Sequence, residues 1–78
     1  MGTGYSIRLC ARNENANHDL LGVQLGALCI QRDIPVSQVA KALKVSRATV
    51  YNWFCGATTP QGFLRDHILT FMAAHSEA

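Results

Sequence analysis

The 78 residues suffice for one domain and leave no room for a second, since domains run from about 50 residues up. Hydrophobic residues make up 49% and charged residues 15%, which excludes a disordered chain, and no apolar run approaches the ~20 residues that span a bilayer. The formal charge of +2 is mildly basic, and three cysteines, an odd number with no C-x-x-C pair, speak against a disulfide scaffold and for reduced thiols in a cytoplasmic protein.

The start of the chain, Met1-Gly2-Thr3-Gly4-Tyr5-Ser6, lacks the basic beginning and long apolar stretch of a signal peptide, which predicts that the protein is not exported. Tyr5, Ile7, Leu9 and Ala11 alternate with Ser6, Arg8, Cys10 and Arg12, the period of a half-exposed strand. No second strand-like run follows in this chain, so such a strand needs a partner from another molecule. The alternative is a flexible arm. In the strand reading Arg8 and Arg12 lie on the opposite face, open to solvent or phosphate. The polar stretch Asn13-Glu14-Asn15-Ala16-Asn17 reads as a linker.

A first helix is expected from Asp19, a good N-cap, to about Gln31, with Leu20, Leu21, Val23, Leu25, Leu28 and Cys29 on its apolar face. Gly22 and Gly26 each cost it about 1 kcal/mol of helix propensity, but their four-residue spacing permits close packing on one side. Pro35 fits the first turn of a second helix, to about Lys44. Ser46 is placed to cap a third helix over Arg47–Cys55, with Val50, Trp53 and Phe54 inward and Gly56 as its left-handed terminator. Thr59-Pro60 reads as the start of a fourth helix running to about Ala74, with Phe63, Leu64, His67, Ile68, Phe71 and Met72 at helical spacing. His67 reads there as a packing residue.

Between Pro35 and Pro60 the only charged residues are Lys41, Lys44 and Arg47, all positive, the distribution a phosphate-facing surface requires. Two short helices joined by almost no loop must cross steeply, which demands a small side chain at their approach, and Ala40 supplies it. With Val39, Leu43, Val45, Val50 and Trp53 inside, the second of the pair presents Ser46, Arg47, Ala48, Thr49, Tyr51 and Asn52 outward. Neither the cysteines nor His18, His67 and His75 stand at zinc-ligand spacing, and no paired-carboxylate or nucleophile–base arrangement suggests an enzyme. The expectation is therefore no metal, no cofactor, no small-molecule ligand and no membrane association.

The words Val39-Ala40, Leu43-x-Val45-Ser46, Thr49-Val50-x-x-Trp53 and Gly56-x-x-x-Pro60 resemble those of the phage Cro/C1 repressor-like helix-turn-helix DNA-binding family, over about Asp19 to Ala74. One departure is Lys44, where that family usually places a glycine because the residue is left-handed. The resemblance implies a mainly α, four-helix domain over residues 18–75, its helix-turn-helix at about 35–56, between an arm (1–17) and a short tail (76–78). It implies a transcriptional repressor that binds double-stranded DNA with the Arg47–Cys55 helix in the major groove. Arg47 then suits guanine, Asn52 adenine and Ala48 a thymine methyl, with Ser46, Thr49 and Tyr51 completing the reading face. Gln38, Lys41 and Lys44 suit phosphates. A palindromic operator calls for a homodimer, through the strand residues Tyr5, Ile7 and Leu9 or through Phe63 and Phe71 of the last helix. The alternatives are a protein-binding module on the same fold, such as a phage inhibitor of host machinery, and a DNA-recombination accessory factor.

Overall fold

The computed structural model describes residues 5–76, leaving residues 1–4 of the expected arm and 77–78 of the expected tail outside. Within them the chain forms five helices and no strand: α1 (Ile7–Asn15), α2 (Leu21–Arg32), α3 (Val36–Leu43), α4 (Arg47–Cys55) and α5 (Phe63–Ser76). Helix α2 is central, packed against α1, α4 and α5, while α3 packs against α4 and α5.

The expected strand is a helix, and four expected helices are five. Ser6 caps α1, its Oγ accepting the Leu9 N–H at 3.1 Å. Tyr5, Leu9 and Asn13, four residues apart, all turn inward and are buried, whereas Ile7 is 89% exposed and Ala11 also faces solvent. The alternating pattern therefore contained a helical one, and a helix satisfies its own backbone without a second molecule. Asn13, expected in a linker, is the one buried polar side chain among the described residues. Its Nδ2 donates to the Val23 carbonyl at 3.1 Å and to the Phe54 carbonyl at 2.8 Å. Phe54 lies in the last turn of α4, where carbonyls lack intrahelical partners, so Asn13 fastens α1 to the end of α4. The Tyr5 hydroxyl donates to the Ile34 carbonyl, and its ring lies 6.1 Å from that of Phe54.

Two starts also differ from expectation. Asp19 does not cap α2; its N–H is held by Asn17 Oδ1 at 2.9 Å in a turn, and Leu20 is the N-cap without a side-chain bond. Helix α5 begins at Phe63 rather than at Thr59-Pro60, because Gly62 takes a left-handed conformation (φ 63°) that a helical first turn cannot contain.

The α2–α4 seam explains the two glycines. A Cβ on Gly22 would lie 2.8 Å from Trp53 Cβ and 2.9 Å from the Trp53 carbonyl, and one on Gly26 would lie 2.8 Å from Phe54 Cγ. Helix α2 thus meets the α4 backbone at Gly22 and the Phe54 side chain at Gly26, and Val23, Leu25, Cys29, Val39, Val50, Phe54 and Ile68 are sealed from solvent in the core. Ala40 is buried near the α3–α4 turn, as the steep crossing requires. Three helices end in left-handed residues, Asp33 (φ 57°), Lys44 (φ 60°) and Gly56 (φ 78°). In each the next residue's N–H reaches back to close the helix: Ile34 to Cys29, Val45 to Ala40, Ala57 to Asn52.

Candidate DNA-binding surface

Helix α4 follows from its boundaries. Ser46 stands in extended conformation and its Oγ accepts the Thr49 N–H at 3.1 Å, while Gly56 stops the helix after nine residues. Its inward residues, Val50, Trp53 and Phe54, are buried, and Arg47, Ala48, Tyr51 and Asn52 are exposed. Thr49 is half-buried, its Oγ1 2.9 Å from Ser46 Oγ, so these two hydroxyls first serve the cap. Gln38 and Lys41 are exposed one turn apart on α3, and Lys44 is exposed at the left-handed turn. Among the described residues Lys41, Lys44 and Arg47 form no ion pair.

The dimer candidates separate. Tyr5, Leu9 and Phe71 are only 9% exposed because they complete the core of their own chain, so they are not available to a partner in this fold. Ile7 and Phe63 are exposed, the latter at 72%, with the Phe63 ring 5.5 Å from that of His67. His67 is exposed rather than packed inside.

The reading helix does not stand alone. Tyr51, Asn52 and Cys55 form one wall of an open groove of about 400 Å³, whose other wall is α1 with Arg8 and Arg12. Sequence reasoning put these arginines on a strand; the cap at Ser6 followed by Leu9 and Asn13 at helical spacing was the signal for their true setting. Beneath the groove, burial raises the Tyr5 hydroxyl well above the ordinary tyrosine range, with Cys29 and Tyr51 adding to it. The buried Cys29 thiol is pushed up to about 12 by desolvation. Both groups stay neutral at physiological pH. Cys10, Cys29 and Cys55 are free thiols, no His, Cys, Asp or Glu cluster among the described residues could hold a metal ion, and no helix among them is long and apolar enough to cross a membrane.

A family model described as a homeodomain-like domain matches residues 24–62, half of the 78-residue chain. The chain belongs to the homeodomain-like helix-turn-helix family. The matched segment holds most of α2 with all of α3 and α4, the three-helix arrangement in which the last helix enters the major groove of DNA. Helices α1 and α5 lie wholly outside the homeodomain-like unit. No curated protein and no solved structure matches the chain.

Proposed function

We propose that this homeodomain-like chain is a sequence-specific transcription regulator, a small repressor akin to the phage Cro/C1 group, that binds a palindromic operator as a homodimer in the cytoplasm. The observation that carries this reading is the division of α4. Its buried side is anchored by Val50, Trp53 and Phe54, and its exposed side offers Arg47, Ala48, Tyr51 and Asn52 with no acidic residue from Pro35 to Pro60. Arg47 can give two hydrogen bonds to guanine O6 and N7, and Asn52 can pair with adenine N6 and N7. Ser46 and Thr49 border this face at the helix start. Gln38, Lys41 and Lys44 fix register on the phosphates without reading sequence.

One such unit reads too few base pairs for an operator, since each contributes about 1–3 kcal/mol of discrimination; two half-sites around a two-fold axis supply the rest. Of the dimer candidates, Ile7 and Phe63 are the exposed ones. Selection from random duplexes, followed by titration of the winning sequence, tests the reading. A palindromic consensus is expected, with Arg47→Ala weakening binding by about 1–3 kcal/mol and relaxing one position per half-site. A chain that binds no duplex, or an Arg47→Ala variant indistinguishable on every duplex, overturns it.

A further inference from the structure

We infer that α1 is a second contact to DNA, in which Arg8 and Arg12 grip the phosphate backbone bordering the major groove that α4 occupies. The inference rests on the proposed reading of α4 and adds to it an element outside the homeodomain-like unit. Arg8 and Arg12 stand four residues apart, so they share one face of α1, separated by about 6 Å of helix rise. Both are exposed, and among the described residues neither side chain makes a hydrogen bond or an ion pair. They line the groove whose far wall is Tyr51 and Asn52, and no acidic residue lines it.

A major groove about 12 Å wide is filled by one helix, so its flanking phosphate strands run close beside that helix. The α1 wall therefore stands where one of those strands passes, at the Tyr51–Cys55 half of α4. Lys44 stands beside the other end, at the turn that precedes Arg47. Cations thus bracket the reading helix at both ends.

The α1 wall is also held in place before any ligand arrives. Asn13 bonds the Phe54 carbonyl of α4, the Tyr5 hydroxyl bonds the Ile34 carbonyl and Leu9 is buried. Fixing the helix axis leaves only the two arginine side chains to be ordered on binding, which favours contact at a set distance from α4.

The test is a titration of the selected duplex and of a random-sequence duplex across about 50–200 mM salt. Wild type, Arg8→Gln/Arg12→Gln, Arg8→Lys/Arg12→Lys and Arg47→Ala are compared, with thermal melts of each protein alone. Two lost phosphate contacts should lower the salt slope by about 1.8 on both duplexes. The melt and the base preference stay as in wild type, and the lysine pair keeps the slope. If wild type binds with a salt-dependent affinity and the glutamine pair keeps the same slope, α1 makes no backbone contact while the α4 reading stands. A changed base preference in the glutamine pair, as in Arg47→Ala, overturns the assignment to phosphate. Failure of wild type to bind either duplex removes the reading of α4 and this inference with it.

Discussion

Replacing Asn13 with alanine should remove the polar tie between α1 and the end of α4 at a large cost in stability. Nδ2 donates at 3.1 Å to the Val23 carbonyl and at 2.8 Å to the Phe54 carbonyl, and the residue is 4% exposed. The Val23 carbonyl sits inside α2 and retains its helical partner, so that bond contributes about 1 kcal/mol. The Phe54 carbonyl has no helical partner, and leaving it buried and unpaired costs about 1–3 kcal/mol. The sum, about 2–4 kcal/mol, compares with a total stability of about 4–12 kcal/mol for 78 residues. A melting temperature lower by about 10–30 °C follows, read by circular dichroism. Asn13→Asp sharpens the test. At neutral pH it sets a carboxylate against two carbonyl oxygens, and burial raises its pKa in the folded state above the unfolded value of about 3.9. That variant should be least destabilised below about pH 4 and lose stability as pH rises. An Asn13→Ala protein that melts with wild type, or an Asn13→Asp protein as stable as wild type at neutral pH, refutes the reasoning.

Gly22→Ala gains about 1 kcal/mol of helix propensity, yet its Cβ would lie 2.9 Å from the Trp53 carbonyl; forcing α2 from α4 should leave a net loss of about 1–3 kcal/mol in urea unfolding. Lys44→Gly relieves a left-handed lysine (φ 60°) and should raise stability by about 1 kcal/mol, while weakening binding to all duplexes alike. Because burial raises the Cys29 thiol to about 12, stability should be level below about pH 8 and fall as pH climbs from there toward 12, where the unfolded chain ionises first. Cys29→Ala should flatten that decline in denaturant titrations at successive pH values. With thiol reagents, Cys10 and Cys55, half-buried, should react before the buried Cys29.

The helix-turn-helix was legible because its signals are local. Ser46 caps, Gly56 terminates, and Val50, Trp53 and Phe54 fall on one side of nine residues; all three features appear in the structure as read. The left-handed turn at Lys44 was legible only through the resemblance to the helix-turn-helix family, whose usual glycine it replaces. Helix α1 was misread because Tyr5 and Leu9 belong equally to a two-residue and a four-residue period, and only Asn13, polar and seemingly unfit for a core, decides between them. What makes Asn13 a core residue is the pair of carbonyls it meets, one of them 41 positions away. The reach of α1 to α4 is likewise invisible until the α2–α4 seam is built. The expected caps at Asp19 and Thr59 failed because Asn17 and Gly62 impose turns that outcompete them.

The anchors of α1 also fix an order of assembly. Tyr5 must wait for Ile34, 29 residues later, and Asn13 for Phe54, 41 residues later. At synthesis rates of about 5–20 residues per second, some 2–8 s separate the addition of Asn13 from that of Phe54. Through that interval Tyr5 and Leu9 have no finished surface to cover them, and a helix of nine residues is too short to persist by itself. Helix α1 therefore docks only once α4 has been made, and a nascent chain halted before Phe54 would show α1 to proteases and chaperones that the completed fold denies.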